Sequence, residues 1–188
     1  MKEKEYMRLE SDSIGTMEVP EDAYYGVQAL RAKENFPITG TKLHPVFIKN
    51  LAKIKRAAAI TNRKAGRLKP EIANAIEASA NEVICGMFDK DFIVDGIQGG
   101  AGTSANMNMN EVIANRAIEM LCGKKGDYTI VHPNDHVNMA QSTNDVIPTA
   151  GKLTVLDLLK PLDKSLSLLT DALYDKAAAF DHIVKIGR

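Results

Sequence analysis

Two polar segments of the chain carry residue types that could bind a small anion. The first, residues 98–104, reads QGGAGTS and places three glycines before two hydroxyl residues. Glycines let backbone N–H groups approach a ligand closely, and Thr103 or Ser104 stands where the N-cap of the next helix is expected. A carboxylate bound here would meet the positive end of that helix. The spacing fits neither a Walker loop nor a GxGxxG turn, so a turn capped by a hydroxyl is the alternative interpretation.

Polar side chains continue into the helix predicted after this loop. Asn108, Glu111 and Asn115 are spaced i, i+3 and i+7, so they share one helix face. Such a stripe is either solvated or connects helices through buried hydrogen bonds.

The second segment, residues 132–145, reads HPNDHVNMAQSTND and precedes the most apolar helical pattern in the chain. Ten of its fourteen side chains can donate or accept hydrogen bonds. Ser142, Thr143 and Asn144 would present neutral donors to an anion near the positive end of that helix. The alternative is an N-cap cluster without a ligand.

His132 and His136 have the i, i+4 spacing that a metal site on a helix uses. Pro133 disfavours a regular helix there, and the HExxH pattern is absent. We therefore expect hydrogen-bonded histidines and no metal or other cofactor.

The elements that must position these segments are predicted to be helices. Residues 1–43 are broken by glycine and proline, which predicts an irregular arm with a small hairpin. Apolar residues then follow a 3.6-residue period from Pro45 towards Gly66 and from Pro70 to Gly86, giving two helices expected to pack antiparallel. A third amphipathic helix is expected to close at Gly123. The predicted fold class is all-α with a short hairpin arm.

A long leucine repeat fills the last part of the chain. Apolar residues recur in steps of three and four at 153, 156, 159, 162, 166, 169, 173, 177 and 180, interrupted only by Pro161. We expect this helix to join a bundle with copies of itself or with further sequence. The alternative is a surface helix kinked at Pro161 in a monomer.

The overall composition is that of an ordinary globular protein. Of 188 residues, 45% are hydrophobic and 26% charged, and 24 basic residues balance 24 acidic ones. This balance gives no reason to expect binding to nucleic acid or to a membrane surface. No long apolar stretch or signal peptide is evident, so a cytoplasmic location is expected. Cys85 and Cys122 lack CxxC spacing and are predicted to be buried, reduced thiols.

The two polar segments resemble signature regions of the fumarase/aspartase superfamily. The matching stretches read GGAGTSANMNMNEVIANRA and HPNDHVNMAQSTNDVIPTA, and ESDSIGTMEVPEDAYYGVQALRAKENFPI resembles the N-terminal arm of that family. Ala101, Ser104 and Thr143 are similar to the aspartase (aspartate ammonia-lyase) branch, where class II fumarases usually read GSGTQ and SSN. The resemblance implies elimination of ammonia from L-aspartate to give fumarate, and class II fumarase is the alternative.

The resemblance also implies roles for single residues. Thr103, Ser142 and Thr143 would hydrogen-bond the β-carboxylate of the dicarboxylate substrate, with Asn144 near its amino group. The run of His132, Asn134 and Asp135 resembles the second, non-catalytic carboxylate site of fumarases.

The catalytic serine of the family lies on a GSSxMPxKxNP loop that this chain does not contain. The chain ends at Arg188, where the family pattern continues. We therefore expect an N-terminal part of a homotetrameric enzyme, inactive by itself, with a helical domain at 1–138 and the start of the central bundle at 139–188. A non-catalytic oligomerisation or anion-binding module is the alternative of another class.

Overall fold

The fold is described from a computed structural model covering residues 6–187. The first five residues, which open the charged start of the chain, and Arg188 lie outside the described residues. Within this range, two strands precede five α-helices, and short 3-10 and π turns lie between the last three helices.

The N-terminal arm contains the predicted hairpin. Strands β1 (Met7–Ser11) and β2 (Thr16–Pro20) are antiparallel, with Met7 opposite Pro20 and Ser11 opposite Thr16. The Asp12 carboxylate accepts hydrogen bonds from the backbone N–H groups of Ile14 and Gly15 and so closes the turn. The hairpin is confirmed, and it leads into a nine-residue helix, α1 (Val27–Asn35), that the sequence pattern did not predict.

Helices α2 (Pro45–Lys64) and α3 (Pro70–Ile84) form the predicted antiparallel pair. Each begins at a proline, whose fixed φ and missing N–H suit the first helical position. Arg56 donates to Asn81 at 2.8 Å, and Arg63 pairs with Glu77 at 3.4 Å. Higher numbers on α2 meet lower numbers on α3, as antiparallel packing requires.

Helix α4 (Thr103–Met120) lies at the centre of the fold. It contacts α1, α2, α3 and α5, and its residues 105–115 are all buried. The main hydrophobic core combines its apolar residues with those of α2 and α3. The helix ends at Met120, slightly before the predicted stop, and the N–H of Gly123 bonds back to the carbonyl of Ile118.

Helix α5 (Thr143–Phe180) runs for 38 residues, about 57 Å at about 1.5 Å per residue. It continues through both Pro148 and Pro161, so Pro161 does not end it. Only its first part is covered, where Val146, Ala150 and Thr154 are buried and the helix packs against α2. The leucines of the later repeat are all exposed.

This architecture confirms the predicted fold class, a mainly helical protein with a short hairpin arm. The domain boundary between residues 138 and 139 stays a prediction. Within residues 6–187, no helix is long and apolar enough to cross a membrane. The prediction that both cysteines are buried is wrong: Cys85 and Cys122 are exposed, because each lies in the turn after a helix rather than on its buried face.

Candidate functional site

The glycine-rich loop comes close to the start of α5. Gly100, Ala101 and Gly102 all have positive φ, in a 3-10 turn just before α4. A Cβ on Gly102 would lie 2.8 Å from Cγ2 of Ile147 on α5. Glycine therefore serves two purposes at this position, a left-handed backbone and a close approach between two elements.

The prediction of a hydroxyl N-cap on α4 is wrong. The N-cap is Gly102, and Thr103 is the first helical residue. The Thr103 hydroxyl donates back to the carbonyl of Gly100 at 2.6 Å, which stabilises the turn. Gln98 instead provides a side-chain acceptor near the helix start, since its Oε1 accepts from the N–H of Ala105 at 2.6 Å.

The start of α5 holds the other predicted residues. Ser142 is its N-cap, and its Oγ accepts from the N–H of Asn144 at 3.2 Å. Thr143 is the first helical residue, and its Oγ1 accepts from Nδ2 of Asn106 on α4 at 3.1 Å. Asn144 is exposed.

The structure therefore brings the two polar segments together. Asn106 follows Thr103 by one helical turn, and its side chain contacts Thr143 directly. Gly102 and Ile147 also line one cleft of about 430 Å³. The N-termini of α4 and α5 thus adjoin, so the positive ends of the two helix dipoles lie close together.

Behind this junction lies a buried cation that the sequence reasoning missed. Lys55 of α2 is 0% exposed, and its Nζ donates to Oδ1 of Asn138 at 2.8 Å and to Oε1 of Gln141 at 3.1 Å. Burial lowers the pKa of Lys55 to about 7. The spacing of Ile48, Leu51, Lys55 and Ala59 puts the lysine on the apolar face of α2, and that signal was available in the sequence.

The histidine segment forms a compact turn, Pro133–Val137. The Nδ1 of His132 accepts from the N–H groups of Asn134 and Asp135, and the Nδ1 of His136 accepts from the N–H of His132. Burial lowers the pKa of His136. No group of three or more potential metal-binding side chains is present in the described part of the chain.

Asn134 of this turn lies near Ser104 of the glycine-rich segment. Asn134 and Ser104 line a cleft of about 300 Å³ together with Arg31 of α1. Arg31 is paired with Asp12 at 3.1 Å. Asp135 is exposed beside His132, at 3.4 Å from its Nδ1.

The polar stripe on α4 is buried and connects elements. Asn108 donates to the carbonyl of Asp91 and accepts from the N–H of Ile93. Asn115 donates to the carbonyl of Tyr24 and accepts from the N–H of Gly126. Of the two interpretations of this stripe, buried hydrogen bonding is the one observed.

Glu111 on the same face holds the start of α1. Its carboxylate accepts hydrogen bonds from the backbone N–H groups of Gly26, Gln28 and Ala29, at 2.8 to 3.0 Å. Desolvation raises the pKa of Glu111 to about 7, although these three hydrogen bonds act in the opposite direction. A helix start held in this way has no signature in the local sequence.

Comparisons with known proteins match the chain over nearly its whole length. A protein-family profile described as a lyase covers residues 15–188. The chain belongs to this lyase family. Its membership agrees with the resemblance to the fumarase/aspartase superfamily deduced from the two polar segments.

Relatives in this lyase family carry two different names. Aspartate ammonia-lyase of Bacillus subtilis is 51% identical over 186 residues, which cover 99% of this chain and 39% of the relative. Class II fumarate hydratase of Halobacterium salinarum is 53% identical over 182 residues, covering 96% of this chain and 38% of the relative. The chain thus spans about two fifths of the length of these relatives.

A solved structure in the family has the same fold. The fumarate lyase:delta crystallin of Brucella melitensis superimposes with a TM-score of 0.93 at 46% identity, covering 97% of this chain and 43% of that one. The hairpin, the antiparallel helix pair and the central helix are therefore elements of a lyase fold.

Proposed function

We propose that the chain is the N-terminal part of an aspartate ammonia-lyase, which eliminates ammonia from L-aspartate to give fumarate. The observation that carries this proposal is the contact between Asn106 of α4 and Thr143 of α5, which joins the two polar segments into one region. Neutral hydroxyl and amide groups at adjoining helix N-termini suit a dicarboxylate better than a cation or an apolar ligand.

The proposed chemistry explains why these donors are neutral. A base removes a proton from Cβ of aspartate, the electron pair moves towards the β-carboxylate, and the C–N bond then breaks to release ammonia. Negative charge accumulates on the β-carboxylate before ammonia leaves. Hydroxyl donors from Ser142 and Thr143 stabilise that charge more than they stabilise the ground state, at about 3 kcal/mol for one such donor. Thr103 is assigned to the same carboxylate, and its hydroxyl must exchange its hydrogen bond to the Gly100 carbonyl for one to the ligand. Asn144 is assigned to the amino group.

The remainder of the machinery is assigned to sequence outside this chain. The serine base and the groups that bind the α-carboxylate belong, by resemblance, to a later loop. We further propose that the enzyme is a homotetramer, in which segments of three subunits complete each active site. The chain by itself is then inactive. Its exposed leucine helix supports this assignment, because a bundle partner would cover it.

The test uses the full-length protein that carries this chain. With L-aspartate as substrate, the ultraviolet absorbance of fumarate should increase and ammonia should appear in equal amount. Formation of malate from fumarate, with no ammonia released from aspartate, contradicts the proposal.

A class II fumarase is the second candidate. It is favoured by the 53% identity to the fumarase of Halobacterium salinarum, slightly above the identity to the aspartase of Bacillus subtilis. In that case water adds across the double bond of fumarate, and His132, Asn134 and Asp135 would form a second carboxylate site. Asn134 lines a cleft with Arg31, whose guanidinium is paired with Asp12 of the same cleft.

A further inference from the structure

A buried lysine without a counter-ion, Lys55, lies directly behind the candidate site. Among residues 6–187, no carboxylate forms an ion pair with Lys55, and its two partners are the neutral amides of Asn138 and Gln141. Taking an ammonium group out of water without a counter-ion costs folding free energy. The fold keeps this cation at the junction of α2, α4 and α5, so a role beyond packing is worth testing.

The cation determines the orientation of the Asn138 amide. Protonated Lys55 can only donate hydrogen bonds, so it turns the oxygen of Asn138, not its nitrogen, towards itself. The Asn138 Nδ2 then points away and donates to the backbone carbonyl of Gln141 at 3.3 Å. In this way a single charge removes the usual ambiguity of an asparagine side chain.

The orientation of the Asn138 amide in turn determines how Asn106 bonds to Thr143. The Asn138 oxygen also faces Asn106 at 3.2 Å, so the Asn106 group there must be the donating NH2. The second hydrogen of that NH2 points to Oγ1 of Thr143 at 3.1 Å. Thr143 therefore accepts from within the protein, and its own hydroxyl hydrogen remains for a ligand.

We propose that Lys55 and Asn106 are positioning residues, which make the Thr143 hydroxyl a donor to a bound carboxylate. The inference rests on the proposed function, since it assumes that Thr143 meets the substrate. Neither residue needs to touch the ligand. Lys55 acts through Asn138, and Asn106 acts through Thr143.

The first test reverses the hydrogen bond between Asn106 and Thr143 with little change of shape, and it also removes the donor to Asn138. Asn106→Asp replaces the donating NH2 by an oxygen, so the Thr143 hydrogen turns inward to the new carboxylate and is lost to the ligand. Isothermal titration of the full-length protein with succinate, a dicarboxylate without an amino group, gives the affinity and the number of binding sites separately. We expect the Kd to rise at least tenfold with the number of sites unchanged.

The second test removes the cation. Lys55→Met keeps a buried side chain of similar length and frees the Asn138 amide to turn. The Kd for succinate should rise about fivefold or more, again with the full number of sites. A purely structural role for Lys55 or Asn106 would lower the number of competent sites and leave the Kd of the remaining sites unchanged, and that result would overturn the inference.

The matched control contacts the same loop but lies outside this chain of hydrogen bonds. Asn62 of α2 donates to the carbonyl of Met139 at 3.0 Å, and this hydrogen bond does not involve Asn106 or Thr143. Asn62→Asp should lower the melting temperature and leave the succinate Kd unchanged. If the wild type binds succinate and Asn106→Asp binds it with the same Kd, this inference alone is refuted. If the wild type shows neither binding nor turnover, the proposed function and the inference are refuted together.

Discussion

The hydroxyl side chains at the start of α5 have two roles, capping the helix and binding a ligand. Ser142 caps, because its Oγ accepts from the N–H of Asn144. Thr143 does not cap, because its Oγ1 faces the Asn106 amide of another helix. Both hydroxyls keep a hydrogen for a ligand, but only that of Ser142 also stabilises the helix end.

Substitution separates these two tasks. In the full-length protein, Thr143→Ala should lower kcat/KM for L-aspartate about 100-fold, since losing one preorganised donor costs about 3 kcal/mol of transition-state stabilisation. The same substitution should lower the free energy of unfolding by about 1 kcal/mol. Steady-state kinetics and urea denaturation measure the two quantities.

Two neighbouring variants serve as controls. Thr143→Ser keeps the hydroxyl and should retain most of the activity. Ser142→Ala removes the cap together with an assigned ligand donor, so it should cost about 1 kcal/mol of stability and also lower kcat/KM. A loss of activity in Thr143→Ala that follows the loss of folded protein would show that this hydroxyl is structural only.

Two pairs of elements approach closely at positions where glycine leaves room for a neighbouring side chain. The loop before α4 reaches α5 because Gly102 has no Cβ to collide with Ile147. The start of α1 reaches α4 because Gly26 leaves room, since a Cβ there would lie 2.8 Å from Cδ of Glu111.

The approach of the glycine loop to α5 can be tested with two alanine substitutions. Gly102→Ala combines a left-handed backbone with a contact of 2.8 Å to Ile147, so we expect a loss of about 2 kcal/mol or more. Gly151→Ala, inside α5 with open space around its Cβ, should gain about 0.5 to 1 kcal/mol from helix propensity. Thermal unfolding of both variants gives the comparison, and equal effects would refute the close approach.

The junction of α1 and α4 should depend on pH through Glu111. Its pKa is about 7 in the folded protein against an ordinary value of 4.5, so the folded state keeps this proton to higher pH. The stability that protonation contributes is complete below about pH 4.5 and is lost as the pH rises towards about 7. Between these limits the wild type should lose at most about 3 kcal/mol through this group.

Denaturation at several pH values measures this contribution. Glu111→Gln cannot titrate, so its free energy of unfolding should change less between pH 5 and pH 7.5 than that of the wild type. Glu34→Gln makes the same charge change on an exposed part of α1 and should keep the wild-type pH profile. Parallel profiles for the wild type and Glu111→Gln would contradict the assignment.

The whole molecule consists of a covered helical body and one long helix that leaves it. The first turns of α5 pack on α2 through Val146, Ala150 and Thr154, whereas its later leucines are exposed within the described part of the chain. Their exposures reach 62% at Leu168 and at Leu173. An apolar stripe this long is typical of a helix that packs in a bundle.

Self-association of the chain tests whether the exposed leucines of α5 pack against a partner. We expect the chain to form dimers or larger assemblies at micromolar concentration, because association buries the leucine stripe. Replacing Leu166 and Leu169 by lysine should shift sedimentation equilibrium towards monomer. Changing the exposed Lys164 and Ser167 to glutamate on the same helix should have little effect, and a monomeric wild type would contradict the bundle assignment.

The sequence by itself predicted helices α2 to α5, the hairpin and the two polar segments. Periodicity and proline placement predicted α2 and α3, because local apolar spacing and first-turn geometry decide where a helix starts and which face it buries. The family was also visible in short stretches around Thr103 and Thr143, since the residue types at such a site are constrained by its chemistry.

Only the tertiary structure decided which polar groups work together. Helix α1 depends on Glu111, more than eighty residues away, and the polarity of the Thr143 hydroxyl depends on Lys55 through two asparagines. The N-cap of α4 is likewise Gly102 and not the predicted Thr103 or Ser104, and Gly102 lies against Ile147. Hydrogen-bond partners of buried groups come from distant segments, and their choice follows from how the helices pack rather than from local spacing.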